Sequence, residues 1–279
     1  MRTRIYLSLL LLLPACQLKT QADKITNKQA NEKKRCRTIE EIPPPAGYTR
    51  IPAAGRSFSE WLRSLPLKID RRVFLYNGLL KADQTVSFRV IDIPIGKRDL
   101  LQCADAAMML RARYLFSNGD FDSIHFAATD GTIMSFVKWR MGIRYKTAGN
   151  RLTTFLSEGN HFNTQTDFEN YLEIVFSYAG TTSLAKELKP VSNSNDIQPG
   201  DVFIKPGFPG HAMMVADVAI NREGEKIFML VQGYMPAQDI HIVKNLENEE
   251  ISPWYKIPAS GPLVTPEWIF DVRQLKRWQ

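Results

Sequence analysis

Four apolar segments crowd the C-terminal half of this chain, and they commit it to a sheet. Asp201 to Lys205, His211 to Ile220, Lys226 to Gln232 and Ile240 to Val243 all read as strands. Asn221-Arg222-Glu223-Gly224-Glu225 makes the turn between the second and third. Upstream, the longest periodic segment is helical. Asp99 to Phe116 opens on Asp99-Leu100-Leu101-Gln102, a capping-box pattern, and stops at Ser117-Asn118-Gly119. Phe58 to Leu65 reads as a short helix after Ser57. Val73 to Tyr76 and Val86 to Ile93 read as strands joined through Asn77-Gly78. Ile124 to Ala127, Phe136 to Trp139 and a second long helix at Phe168 to Tyr178 follow, with a shorter helix at Ser183 to Leu188. Helices first and an antiparallel sheet afterwards is an α+β order.

The second strand opens on a histidine. Gly200-Asp201-Val202 leads into a strand, Pro206-Gly207-Phe208-Pro209-Gly210 makes a turn, and His211 begins the next strand. A histidine at a strand edge beside a glycine-rich turn is rigidly aimed yet reachable, as a general base must be. Cys103 is expected inside the first turn of its helix, where free N–H groups and the helix dipole favour a thiolate. The same residue shares a face with Ala107, Leu110 and Tyr114, so an inert packing role is the competing reading. Alternation along the His211 strand puts His211, Met213, Val215 and Asp217 on one face. Pairing Val218 opposite Ile227 brings Gln232 opposite Met213, on the His211 face, where its amide could orient the imidazole. A one-residue slip would turn Gln232 to the other face. His125, His161 and His241 read as structural or surface residues. No metal-ligand spacing and no phosphate loop is present, and no cofactor is expected.

The N-terminus reads as an export signal: Arg2 and Arg4 precede an apolar run from Ile5 to Leu13 that is too short to span a bilayer. Leu13-Pro14-Ala15-Cys16 resembles the bacterial lipoprotein cleavage box, which implies lipidation of Cys16 and an anchored envelope protein, with Gln17 favouring the outer membrane. Loss of Arg2 and Arg4 lowers the formal charge of +7 by two. The basic residues from Lys19 to Arg37 read as a solvated tether or as one held electrostatically to the bilayer. Nothing resembles a nucleic-acid surface, since no aromatics interleave with these charges. The expected organisation is a signal peptide at 1–15, a lipidated cysteine and flexible linker at 16–44, and a single domain at 45–279. With Cys16 lipidated, only Cys36 and Cys103 of three cysteines remain, which is no disulfide framework.

Cysteine at a helix N-terminus, then Gly200-Asp201-Val202, then Gly210-His211, resembles the NlpC/P60 branch of papain-like cysteine peptidases. The resemblance implies a papain-like core of helices on an antiparallel sheet, with an insertion. It also implies Cys103 as nucleophile, His211 as base and Gln232 as the orienting residue. Over the whole mature chain the resemblance is to DUF4846, a family of bacterial lipoproteins. It rests on Gly47-Tyr48-Thr49-Arg50, Trp61 to Leu67, Gln102-Cys103-Ala104-Asp105-Ala106 and Tyr234-Met235-Pro236-Ala237-Gln238.

Two functions follow as expectations. In one, a lipid-anchored cysteine hydrolase cleaves peptide amides, cell-wall peptides foremost, with Gln102 or the Cys103 N–H at the oxyanion. In the other, a catalytically silent envelope lipoprotein keeps the fold for binding, with the Tyr234–Gln238 loop as a contact surface.

Overall fold

The C-terminal strands pair as consecutive apolar segments with short connections must, each antiparallel to its neighbour. A computed structural model describes residues 36–158 and 165–279. The signal segment, Cys16, most of the linker and His161 lie outside the described residues.

The N-terminal half carries β1 (Thr49–Arg50), α1 (Phe58–Ser64), β2 (Ser87–Val90) and α2 (Cys103–Ser117). Then come β3 (His125–Ala127), β4 (Ile133–Ser135), α3 (Phe136–Arg140), β5 (Ile143–Ala148) and β6 (Arg151–Leu156). The helices α4 (Gln165–Tyr178) and α5 (Thr181–Glu187) lead into β7 (Lys189–Pro190), β8 (Val202–Lys205), β9 (His211–Ile220) and β10 (Lys226–Gln232). The chain ends with β11 (His241–Val243), β12 (Trp254–Lys256), β13 (Leu263–Val264), β14 (Ile269–Phe270) and β15 (Leu275–Arg277). The architecture is α+β. Among the described residues, five α-helices stand beside a nine-stranded antiparallel sheet of order β2-β11-β10-β9-β8-β15-β7, with β1 paired to β9 and β12 to β10.

β9 and β10 are buried on both faces, which is why they read as continuous apolar runs. One face meets a cluster of Phe203, Met213, Val215, Val218, Phe228, Leu230 and Phe270. The helices α1 and α2 also pack on β9. Val218 pairs with Phe228 and Asp217 with Met229, but Val215 pairs with Leu230, so Ala216 is an extra residue in a β-bulge. The bulge explains why the cluster takes Met213 and Val215 but then Val218.

Several expectations change. The unit that contains the sheet begins at Arg37, so residues 37–44 belong to it and not to a linker. The reason is burial: Ile39 and Ile42 are core residues, and Thr38 bridges Pro66. Val73 to Tyr76 forms no strand, only isolated bridges from Phe74 to Leu80 and Leu75 to Gln238, while β2 pairs with β11 instead. The long helix starts at Cys103 rather than Asp99, because Asp105 and not Gln102 supplies the reciprocal cap, accepting the Gln102 N–H at 3.0 Å. Phe136 to Trp139 lies in helix α3, where Ser135 Oγ caps the Lys138 N–H.

Behind the sheet, Asp217 is fully buried between two arginines, with Arg50 Nε at 2.5 Å and Arg63 Nε at 2.7 Å. Asp201 of the Gly-Asp pair holds Arg277 at 2.7 Å and accepts the Gln198 N–H at 2.8 Å. That aspartate ties β15 to the turn before β8.

Candidate functional site

Two glycines bring the site together. A Cβ on Gly210 would collide with the Gly207 carbonyl and meet Thr181 Oγ1 at 2.5 Å, so only glycine fits in front of His211. A Cβ on Gly233 would lie 2.9 Å from the Gln102 carbonyl, so glycine there lets the start of α2 close on the end of β10. Cys103, the first residue of α2, thereby comes to the beginning of β9. The backbone N–H groups of Ala212, Ala104 and Cys103 itself favour the Cys103 thiolate electrostatically.

Cys103 lines an open cleft of about 510 Å³ whose walls include Asp99, Gln102, Asp105, Thr181, Phe208 and Met235. Phe208 stands on the rim at 97% exposure. Burial, and then the charge on Asp105, push the Cys103 thiol up to about 11. The expected thiolate preference of a helix N-terminus is therefore outweighed here by desolvation. Asp105 itself is buried and pushed up to about 8, and its Oδ1 has no hydrogen-bond partner among the described residues.

His211 is buried among aromatic rings. Its ring centroid lies 5.1 Å from Tyr234, 5.1 Å from Trp268 and 6.0 Å from Phe270. That apolar cage pulls its pKa down to about 4. Nε2 of His211 stands 2.9 Å from Gln232 Oε1. The bulge at Ala216 resets the register, since Val231 pairs with Met214 and the next residue, Gln232, comes level with Met213. Gln232 Nε2 in turn donates to Glu267 Oε2 at 2.6 Å and faces His241 Nε2 at 3.1 Å. His241 Nδ1 lies 3.0 Å from the Asp239 carbonyl, and Lys81 forms an ion pair with Glu267.

The structure thus joins His211 to Gln232 directly, but no hydrogen bond joins Cys103 to His211. Tyr234 neighbours both: its ring packs on His211, and a charge on Cys103 acts on its hydroxyl. The Gln102 side-chain amide donates to Asp99 Oδ1 at 3.3 Å. The N–H groups of the first turn of α2 remain the donors that could meet an oxyanion. Of the Tyr234–Gln238 loop, Met235 and Pro236 are exposed, while Ala237 is buried with its N–H on Asp99 at 2.6 Å.

A sequence profile described as a domain of unknown function, DUF4846, matches residues 39–277, nearly the whole of the folded unit. The chain belongs to the DUF4846 family. No curated protein and no solved structure matches it. In this DUF4846 domain, sequence reasoning missed His241, Glu267 and Lys81. His241 left a signal, since pairing β10 with β11 as a hairpin sets Gln232 opposite His241. Lys81 and Glu267 left none, being distant in sequence from the strands they serve.

Proposed function

We propose that this DUF4846 domain is a cysteine hydrolase in which Cys103 attacks a carbonyl held in the cleft and His211 accepts the thiol proton through Nδ1. The observation that carries the reading is the 2.9 Å contact between His211 Nε2 and Gln232 Oε1. It occupies one ring nitrogen with an orienting amide and leaves the other for a proton, the division of labour of a nucleophile–base–orienter site. Thiol and imidazole are both neutral in the resting protein, so proton transfer accompanies attack rather than preceding it. The first-turn N–H groups of α2 receive the negative charge on the carbonyl oxygen. As the adduct collapses the C–N bond breaks, and His211 returns its proton to the leaving amine. Water then hydrolyses the Cys103 thioester to release the acid and the free thiol.

The substrate we favour is a peptide amide of the cell wall. An envelope location follows if the chain is cleaved before Cys16 and Cys16 is lipidated as the N-terminal pattern expects, with the outer membrane as the anchoring surface. The papain-like relation belongs to the same proposal, and no cofactor or nucleic acid takes part in it.

Two observations favour a second reading, a silent binding protein: no hydrogen bond links Cys103 to His211, and burial disfavours the thiolate. Incubating the protein with cell-wall stem peptides and reading new amino groups by mass spectrometry separates the two. The hydrolase reading expects cleavage by the wild type that Cys103→Ala and His211→Ala each abolish. Peptide that is retained but never cleaved supports the binding protein.

A further inference from the structure

We infer that Glu267 is a positioning residue for His211: acting through Gln232, it fixes which nitrogen of the His211 ring carries the proton. The inference rests on the proposed function for its use, but its geometry stands apart from Cys103.

A glutamine side chain can sit either way round in the same space, with its oxygen and nitrogen exchanged, so the partners decide the orientation. Gln232 has three. Glu267 Oε2, 2.6 Å from the amide nitrogen, belongs to a carboxylate that Lys81 holds as an ion pair, so it accepts. His241 is the second. Its Nδ1 faces the Asp239 carbonyl at 3.0 Å, and a carbonyl only accepts, so Nδ1 carries the hydrogen. Burial lowers the pKa of His241 and keeps it neutral, so its Nε2 is a lone pair facing Gln232 at 3.1 Å. Two acceptors thus claim both hydrogens of the Gln232 amide.

The third partner must then meet Gln232 Oε1, which only accepts. His211 Nε2, 2.9 Å away, has to donate, and the neutral ring keeps its lone pair on Nδ1. The proton position on His211 is therefore dictated from the far side of Gln232.

Glu267→Gln reverses the chain. The new amide turns its oxygen to Lys81 and its nitrogen to Gln232. Gln232 flips to accept that hydrogen, giving up its bond to His241 Nε2, and presents its own NH₂ to His211. His211 Nε2 becomes an acceptor and its proton moves to Nδ1, removing the base from the side the mechanism uses. Glu267→Asp keeps an acceptor and preserves the original arrangement wherever the shorter side chain reaches.

The test is nitrogen NMR of the folded domain with labelled histidine, His211 being assigned by its loss in His211→Ala. Wild type should show a protonated Nε2 and a bare Nδ1. Glu267→Gln should move the proton to Nδ1, and Glu267→Asp should leave it on Nε2. A wild-type ring protonated on Nδ1, or a Glu267→Gln ring unchanged from wild type, overturns the inference. If Glu267→Gln does not fold, the wild-type and Glu267→Asp spectra still decide. The tautomer is read without turnover, so loss of the hydrolase reading leaves this measurement standing, and failure here leaves peptide cleavage to be judged separately.

Discussion

The carbonyl of Gln102 sits where a side chain on Gly233 would have to go, 2.9 Å from the position of a Cβ. Backbone on one side and the Ala106 Cβ at 3.2 Å on the other leave no flexible atom to move aside. Gly233→Ala should force α2 away from β10 and cost about 1–3 kcal/mol, as overpacking does. Denaturant unfolding measures the cost, and Cys103 should become easier to alkylate as the contact opens. A variant as stable as the wild type would show that the first turn of α2 yields.

Alkylation of Cys103 in the resting protein should be slow at neutral pH. Its rate should keep climbing with pH toward the raised thiol value of about 11. An iodoacetamide rate profile from pH 6 upward checks this, with Cys16 and Cys36 replaced so that one thiol reports. A plateau already reached near neutral pH would mean a thiolate that burial does not suppress.

Asp105 gives the fold a pH dependence of known sign. Its folded pKa of about 8 lies above the ordinary carboxyl value of 3.8, so the folded state holds the proton more tightly. That contribution is complete below about pH 4 and is lost as pH rises through 8. His211 acts in the other window: its folded value of about 4 lies below 6.5, so its contribution is present above 6.5 and lost as pH falls through 4. Asp105→Asn should therefore flatten the stability curve between pH 4 and 8 while the acid limb remains. Melting temperatures across pH for both proteins would refute this if their difference did not change with pH.

Removing the Asp217 carboxylate should be among the costlier single changes. Asp217→Ala leaves the Arg63 guanidinium, itself largely buried, and Arg50 without their shared anion. Breaking one side of a buried ion group costs about 3–5 kcal/mol. Thermal unfolding measures it, and a loss well below 1 kcal/mol would mean that water, or the Ile39, Ile42 and Ile51 carbonyls that already accept from these two arginines, replace the carboxylate.

The sheet was readable from sequence because β9 and β10 are continuous apolar runs whose limits, His211–Ile220 and Lys226–Gln232, are set by Gly210 and by the polar turn between them. The pairing was harder. Val218 opposite Ile227 misses by one residue, yet Gln232 still comes level with Met213, because Ala216 bulges out between the two halves. Nothing in Val215-Ala216-Asp217 announces a bulge, so the sequence supports the correct neighbour for His211 through an incorrect register. Val73 to Tyr76 failed for a related reason: Asn77-Gly78 does make a tight turn, but the strand partner of β2 is β11. Cys103 was placed correctly at a helix start, yet its protonation was not legible, since desolvation depends on neighbours brought from β9 and β10. Phe136 to Trp139 is too short for periodicity, and Ser135 as a cap was its one helical signal.

The bulge at Ala216 also divides the labour along one pair of strands. From Asp217 to Ile220 the pairing holds the core and the arginine anchorage, while from His211 to Val215 it sets where Gln232 meets the imidazole. The extra residue works like a phase shifter between two gears. Side chains in the Lys226 half of β10 can be exchanged and repacked without rotating Gln232 off His211, whereas deleting Ala216 would rephase the strand and separate them.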